Sequence, residues 1–179
     1  MLQADKTALV IVDIQGKLAT LMHQKEIFYA NVVRMIKGAR VLDIPILWNE
    51  QLPDKLGETI APIKNELNGL QVLVKKSFSC CGNPEFVDRL KATGRTQVLL
   101  TGMETHICVY QTVIDLLDSG YEVHLVTDAV ASRFEHNYRL GIERIKDLGG
   151  VVTSTEMALF EMFEIAEGPQ FKEIVKIVK

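Results

Sequence analysis

A strand, a sharp turn and a helix follow one another in the stretch Gln97-Val-Leu-Leu-Thr-Gly-Met-Glu-Thr-His-Ile-Cys108. The apolar run at its start predicts a buried strand over Gln97–Thr101, and Gly102 supplies the conformational freedom that a tight turn needs. The following residues lead into an amphipathic helix predicted over Ile107–Leu117. A strand followed at once by a helix is the repeating unit of a parallel sheet covered by helices.

The same alternation of strand and helix extends in both directions from this stretch. Its apolar runs are continuous, which is typical of strands buried on both faces, and such units connect through right-handed crossovers. The sequence therefore predicts an α/β fold in a single domain, residues 1–179. We expect three layers (αβα) and a six-stranded, mainly parallel sheet in the Rossmann-like order 3-2-1-4-5-6. The predicted strands are Ala8–Asp13, Pro45–Trp48, Gln71–Lys75, Gln97–Thr101, Glu122–Thr127 and Val151–Thr155, and the other predicted helices are Glu26–Leu42, Pro84–Ala92, Asn137–Leu148 and Glu156–Ala166.

The composition is that of an ordinary globular protein, with 47% hydrophobic and 24% charged residues among 179. A formal net charge of −3 and dispersed lysines and arginines favour no nucleic-acid partner. No apolar run approaches the roughly 20 residues of a membrane helix, and no signal layout precedes the first strand. We therefore expect a cytoplasmic protein without a membrane partner. Three cysteines, two of them adjacent, suit a reducing compartment better than a disulfide framework.

Chemically active side chains stand at the carboxyl ends of predicted strands, where open α/β sheets bind their ligands. Asp13 ends the first strand, Lys75 ends the third, and Cys108 follows the fourth. Each has a simpler structural interpretation. Asp13 could cap a helix, Lys75 could be a solvated strand end, and Cys108 could be a small buried hydrophobe.

The position of Cys108 favours a chemical role. It shares a helix face with Gln111, Thr112 and Asp115, which is a polar face for a protein core. At the start of a helix, unpaired N–H groups and the helix dipole favour a thiolate and can hold an oxyanion.

Asp13, Lys75 and Cys108 together form a coherent trio. The carboxylate could accept the thiol proton, the lysine could stabilise negative charge, and the thiol could attack a carbonyl carbon. Lys76 competes for the lysine role, but adjacent strand residues face opposite sides, so only one lysine can enter a given pocket.

Four short motifs lie in order on the predicted elements. They are Val12-Asp13-Ile-Gln15, Lys75-Lys-Ser-Phe78-Ser79, Gly102-Met-Glu-Thr-His-Ile-Cys108-Val and Val126-Thr-Asp128-Ala. Together they resemble the isochorismatase-like cysteine hydrolases, the superfamily that includes nicotinamidases, N-carbamoylsarcosine amidohydrolases and YcaC-like proteins, from about Leu9 to Phe160.

The resemblance implies the isochorismatase-like hydrolase fold and the catalytic trio Asp13, Lys75 and Cys108, with Lys75 preferred over Lys76. It also implies a cis peptide bond between Met103 and Glu104. Backbone N–H groups of the turn from Met103 through Glu104 to Cys108 would then bind the oxyanion.

The sequence departs from the nicotinamidase pattern at the metal site. Nicotinamidases carry Asp-x-His…His after the second strand, whereas this region reads Asn49-Glu-Gln-Leu-Pro-Asp-Lys and has no histidine. We therefore expect no metal and no cofactor. Cys108 favours hydrolysis of a C–N bond in a small-molecule amide, imide or carbamoyl substrate through a covalent thio-intermediate. The candidate pocket residues are Gln15, Asn49, Phe78, His106 and Phe134.

Two other functions remain open from the sequence. One is a catalytically retired oligomeric scaffold; the other is vinyl-ether hydrolysis of the isochorismatase type, for which the pocket segments supply few arginines. Cys80 and Cys81 are interpreted as loop or pocket-wall packing, and Asp128 as a brace after the fifth strand.

Apolar residues are dense at the C-terminal end of the chain. Their number exceeds what the edge of a small domain normally exposes, so a homo-oligomer with this region in an interface is predicted. The residues are Met157, Leu159, Phe160, Met162, Phe163, Ile174, Val175, Ile177 and Val178.

Overall fold

The computed structural model describes residues 1–179 and contains a six-stranded sheet in the order β3-β2-β1-β4-β5-β6. All five strand pairings are parallel. The predicted α/β fold and strand order are thus confirmed, and the sheet is fully rather than mainly parallel. The strands are β1 Thr7–Val12, β2 Ile46–Gln51, β3 Leu73–Lys75, β4 Gln97–Met103, β5 Glu122–Ala131 and β6 Val151–Thr153.

Nine α-helices surround this sheet, and three short 3₁₀ turns occur elsewhere in the chain. The longest helix, Lys25–Val41, has 17 residues, and no helix combines the length and apolar character that a membrane span needs. The helices are α1 Gly16–Ala19, α2 Lys25–Val41, α3 Pro53–Leu56, α4 Ala61–Lys64, α5 Pro84–Ala92, α6 Tyr110–Asp118, α7 Glu135–Asp147, α8 Thr155–Glu161 and α9 Pro169–Val178.

Several element boundaries differ from the prediction. The strand β5, predicted to end at Thr127, continues to Ala131, so Asp128 lies inside the strand and not after it. The segment 49–69, for which no strand or helix was predicted, continues β2 as far as Gln51 and then forms α3 and α4, each with a proline in its first turn, where proline is favoured. The predicted helix Glu156–Ala166 ends at Glu161, and the C-terminal tail forms a separate helix, α9.

The side chains of the strands alternate between two hydrophobic cores, one on each face of the sheet. Leu9 and Ile11 of β1 point into the larger core, which includes residues of α2, α8 and α9. Val10 and Val12 point into the smaller core, which includes residues of α5, α6 and α7. This arrangement is the predicted three-layer αβα architecture, and it leaves the carboxyl ends of the strands free to carry a site.

Gly102 allows β4 to lie close to β1 beside that site. Its φ is +124°, and a Cβ at this position would overlap the backbone of Val12. The register between β4 and β5 shifts after Leu100, so that Gly102 pairs with Val130 of β5. The chain beyond Gly102 turns directly into the helix that carries the cysteine.

The C-terminal apolar residues give weaker support to an interface than the sequence suggested. Leu159 and Ile174 are completely buried within the chain, and Phe160 and Phe163 pack edge-on against Phe171. Among the residues predicted to face a partner, Met157 is the one that is strongly exposed, at 62%. The helices α8 and α9 cover their apolar faces against α2, which the one-dimensional pattern could not show.

Candidate active site

Asp13 and Lys75 form a buried ion pair at the carboxyl edge of the sheet. Lys75 Nζ donates to Asp13 Oδ2 at 2.6 Å, and neither side chain exposes more than 7% of its surface. Lys75 belongs to β3 and therefore lies two strand spacings, roughly 10 Å, from β1. Its long side chain crosses the end of β2 to reach the carboxylate just after β1, as the catalytic prediction requires.

The Lys75 ammonium has no hydrogen left for a substrate. Besides Asp13, it donates to the carbonyl oxygens of Ser77 at 2.9 Å and Phe78 at 2.7 Å. An ammonium group has three donors, and all three are used. Lys75 is also absent from the cavity wall described below. The geometry gives it the task of holding Asp13 in place, and direct contact with a developing anion is not available to it.

Asp13 has one carboxylate oxygen free. Oδ1 is buried and has no hydrogen-bond partner, whereas Oδ2 is bound to Lys75. The residue has a φ of +53°, in the left-handed region where aspartate is among the tolerated residues. Burial raises the pKa of Asp13 to about 6, and the charge and hydrogen bond of Lys75 lower it only in part. A carboxyl group with this pKa can accept and return a proton near neutral pH.

Cys108 lies in a π-helical turn, Thr105–Val109, that leads into α6. Such turns occur frequently at functional sites. The thiol is 3.6 Å from Gln51 Oε1. It is also close enough to Asp13 that each group affects the pKa of the other. The structure therefore brings together the three residues of the predicted trio.

The resting thiol is neutral. Burial, and after it the negative charge of Asp13, raises the pKa of Cys108 to about 12. The charge of Lys75 and a hydrogen bond with the Glu104 backbone act in the opposite direction but are smaller. The position at the start of a helix was expected to favour a thiolate, but burial and Asp13 outweigh that effect, so the nucleophile needs a base at the moment of attack.

Side-chain and backbone hydrogen bonds of Glu104 fix the turn before Cys108. The Met103–Glu104 peptide bond is cis. The Glu104 side chain is buried, and its carboxylate accepts hydrogen bonds from the backbone N–H and from Nε of Arg133, both at 3.0 Å. The Glu104 carbonyl accepts from the N–H groups of Ile107 and Val109. The Ile107 N–H is therefore occupied and is not an oxyanion donor.

These residues line a cavity of about 340 Å³ at the edge of the sheet. The volume falls within the range of small-molecule sites, about 300–1,000 Å³. The lining residues are Asp13, Gln15, Leu18, Gln51, Leu52, Lys55, Leu56, Phe78, Met103, Glu104, Ile107 and Cys108.

Two of the five candidate pocket residues line the cavity. Phe78 does so with 52% of its surface exposed. Gln15 also lines it, but its side chain is fully bonded: Oε1 accepts from the Gln51 N–H at 2.6 Å, and Nε2 donates to the carbonyls of Gln51 and Gly57 at 3.2 and 2.6 Å. Gln15 therefore fixes the end of β2 and the loop after α3.

The other three, Asn49, His106 and Phe134, do not line the cavity. Asn49 is buried inside the sheet, where its Nδ2 donates to the Ile11 carbonyl. His106 turns away, with Nδ1 3.0 Å from Ser132 Oγ. Phe134 precedes α7 and stacks on His136 at 5.8 Å between ring centroids. The structure thus places these three residues away from the cavity wall.

The error at Asn49 explains why Gln51 was missed. The second strand was predicted to end at Trp48, but it continues to Gln51, which pairs with Lys75 of β3. The carboxyl edge therefore lies at Gln51, and Asn49 belongs to the buried part of the strand. Four further lining residues lie in no quoted motif: Leu18 of α1, and Leu52, Lys55 and Leu56 around α3. Ile107 also lines the cavity; it belongs to the motif that ends at Cys108, but it was not predicted as a pocket residue.

Cys80 and Asp128, two of the residues interpreted as structural, make structural contacts. Cys80 is fully buried, and its N–H donates to Thr112 Oγ1 at 3.0 Å. Asp128 Oδ1 accepts from the N–H and the hydroxyl of Thr155 at the start of α8, so this carboxylate connects β5 to that helix. All three cysteines are free.

Comparisons with known proteins agree on one family. The model of the isochorismatase domain matches residues 7–157. The secreted isochorismatase effector Isc1 of Phytophthora sojae is 37% identical over 97% of this chain and 84% of its own length. The structure of MAR1 ribonuclease from Caenorhabditis elegans is 32% identical with a TM-score of 0.93, covering 99% of this chain and 91% of that one. The YcaC protein of Escherichia coli, described as an octameric hydrolase of unknown specificity, shares the fold with a TM-score of 0.92 at 20% identity, covering 98% and 88% of the two chains.

Proposed function

The chain belongs to the isochorismatase family of hydrolases, and from this premise we propose that it is a metal-independent cysteine hydrolase of small C–N substrates. The substrate would be an amide, an imide or a carbamoyl compound. The observation that carries the proposal is the neutral Cys108 thiol beside the free oxygen of Asp13, on the wall of a cavity of small-molecule size. Support for metal independence comes from the donor set, since no three His, Cys, Asp or Glu side chains are grouped as metal ligands would be.

In the first half of the reaction, the Cys108 sulfur attacks the carbonyl carbon while Asp13 takes the thiol proton. Backbone N–H groups of the 103–108 turn, other than that of Ile107, bind the oxyanion that forms. The C–N bond then breaks, Asp13 delivers its proton to the departing nitrogen, and a thioester remains on Cys108.

In the second half, water resolves the thioester. Asp13 accepts a proton from the attacking water, the carbon–sulfur bond breaks, and the Cys108 thiol is regenerated with a proton. Lys75 keeps the Asp13 carboxylate in position throughout because its own three hydrogens are bound to Asp13 and two carbonyls. A raised carboxyl pKa suits this double use, since the group must be both a base and an acid at one pH.

The test is ammonia release from a panel of small amides and ureides. Cys108→Ala and Asp13→Asn should each abolish turnover, and Cys80→Ala, which removes a neighbouring buried thiol, should retain most of it. Mass spectrometry of the quenched wild-type protein should find the acyl adduct on Cys108. Turnover that persists in Cys108→Ala would instead indicate general acid–base chemistry of the vinyl-ether type.

Two other activities receive less support. Vinyl-ether hydrolysis of a chorismate-type diacid needs cations for two carboxylates, and the cavity wall has one unpaired cation, Lys55. Ribonuclease activity, which the name of the nematode structure raises, needs a surface for a polyanion, whereas the chain has a net charge of −3. A catalytically retired scaffold would show neither turnover nor labelling of Cys108 by a thiol reagent at neutral pH.

We also propose that the protein is a homo-oligomer, as predicted from the sequence. The proposal now rests on apolar residues outside the C-terminal region. Exposed apolar side chains, including Phe134 at 56% and Leu140 at 53%, lie outside the C-terminal region. Sedimentation at micromolar concentration tests this, and a monomer would contradict it. A cytoplasmic location likewise remains a proposal, since one relative is named as secreted.

A further inference from the structure

The charged side chains of the cavity wall do not all have ion-pair partners. Three charged side chains line it: Asp13, Lys55 and Glu104. Asp13 is paired with Lys75, and Glu104 is paired with Arg133. Lys55 has neither an ion pair nor a side-chain hydrogen bond. The wall of the site therefore carries one uncompensated positive charge.

The free polar groups of the cavity fall into two places. The first is the reacting end, where Asp13 Oδ1 has no partner; beside it the Cys108 thiol donates to Gln51 Oε1 at 3.6 Å. The second is the ammonium group of Lys55. The remaining polar side chains are occupied, because Gln15 is bonded through both its oxygen and its nitrogen. A ligand that fills the cavity meets hydrogen-bonding groups at these two places and apolar surface elsewhere.

Lys55 stands on a segment that is fixed to the sheet. It lies in α3, and the loop after α3 is held by the Gln15 Nε2 bond to the Gly57 carbonyl at 2.6 Å. Gly16 packs directly against the same loop, leaving no space for a side chain. The lysine is therefore attached to the rim by a backbone whose position is set by β1 and β2.

Apolar side chains make up the rest of the wall. Seven of the twelve lining residues are hydrophobic, among them Leu18, Leu52, Leu56 and Phe78. An apolar body of a substrate would be stabilised there by roughly 25 cal/mol for each Å² removed from water. A compound with charges at both ends, or with two carboxylates, would leave one charge without a partner.

We infer that the substrate has two polar ends joined by an apolar body. One end carries the C–N bond that is hydrolysed, and the other carries a single carboxylate or similar anionic group that binds Lys55. This inference rests on the proposed function and specifies the class of its substrate.

The first experiment compares pairs of amides of equal length. Succinamate, glutaramate and adipamate, each a monoamide with a free carboxylate, are compared with butyramide, valeramide and hexanamide. For at least one length, kcat/KM for ammonia release should be five- to tenfold higher for the carboxylate. The ratio should fall toward one in Lys55→Met, persist in Lys55→Arg, and decrease at 0.5 M NaCl because salt screens an exposed ion pair.

Lys76→Met is the matched control. Lys76 is an exposed lysine close to the site whose side chain is not part of the cavity wall, so its loss tests for a general electrostatic effect. The carboxylate preference should be unchanged in this variant. An equal decrease in Lys76→Met and Lys55→Met would overturn the assignment of the anion to Lys55.

A second experiment does not depend on turnover. Bromoacetyl-glycine, bromoacetyl-β-alanine and bromoacetyl-γ-aminobutyrate alkylate Cys108 when its sulfur displaces bromide, and each is compared with its neutral methylamide. The anionic reagent of at least one length should label Cys108 faster in the wild type, and this preference should be lost in Lys55→Met.

The two experiments separate the two proposals. Lys55-dependent labelling without any ammonia release would contradict the proposed hydrolysis and support the anion site. Ammonia release without any carboxylate preference, or with a preference that Lys55→Met retains, would support the hydrolysis and overturn the anion site.

Discussion

Replacement of Asp13 by Asn should change how stability depends on pH. The carboxyl pKa is raised by burial from 3.8 to about 6 in the folded protein. Between these two values the folded protein holds a proton on Asp13 that the unfolded chain has released. The free energy of unfolding contributed by this group is therefore present in full well below pH 3.8 and is lost as the pH rises through 6.

The size of the effect follows from the two pKa values. Each pH unit corresponds to 1.36 kcal/mol, so a difference of about two units amounts to about 3 kcal/mol. Asn has the same shape, tolerates a positive φ, and does not ionise. The free energy of unfolding of the wild type minus that of Asp13→Asn should therefore fall by about 2–3 kcal/mol between pH 4 and pH 7, because a part of the full effect is already lost at pH 4. Titrating groups that do not contact Asp13 are shared and cancel in this difference, whereas Lys75 loses its anionic partner in the variant.

Urea unfolding of both proteins at pH 4, 5, 6 and 7 measures the difference. A difference that stays flat would mean that Asp13 has an ordinary pKa. A difference that rises with pH would mean that the attraction of Lys75 outweighs burial and holds the pKa below its usual value. Either result would refute the description of Asp13 as a carboxyl group tuned toward neutral pH.

Three further predictions concern activity and packing. The kcat/KM of any true substrate should rise as the pH passes through about 6, because the base must be ionised; a pH–rate profile from pH 4 to 8 that is flat across this region would contradict it. Gly102→Ala should lower the free energy of unfolding by about 2–4 kcal/mol, because the new Cβ would overlap the Val12 backbone and the φ of this residue is +124°. Gly149 has a φ of +95° with open space around it, so Gly149→Ala should cost about 1 kcal/mol in the same urea assay. Thr112→Val should cost about 1–3 kcal/mol by leaving the buried Cys80 N–H without an acceptor, whereas Thr112→Ser should retain most of the stability, and equal losses in the two variants would point to packing alone.

The fold was predictable because its signals are local and repeated. Continuous apolar runs mark strands buried on both faces, and β1 and β4 were located within one or two residues of their observed ends. Element boundaries were less certain where pairing decides them. The end of β2 depends on its neighbour β3, and a difference of three residues moved the cavity position from Asn49 to Gln51.

The trio was predictable for a related reason. Strand-end residues of a parallel sheet meet at one edge, so Asp13, Lys75 and Cys108 could be placed there from the strand pattern and from a resemblance to one family. What each residue does there depends on contacts that come from elsewhere. The carbonyls of Ser77 and Phe78 occupy the lysine, and no spacing in the sequence indicates that they turn back toward it.

Unfavourable features concentrate at Asp13. It has a left-handed backbone, a buried charge, and a carboxylate oxygen without a hydrogen bond. Three other buried side-chain atoms also lack partners, in Asn49, Thr105 and His124, but those residues are not on the cavity wall. Residues held in unfavourable states persist where the surrounding structure enforces them, and they cluster at functional sites. Replacing both members of a buried ion pair by hydrophobic residues is often neutral or stabilising, so the presence of the Asp13–Lys75 pair is better explained by proton transfer to and from Cys108 than by stability.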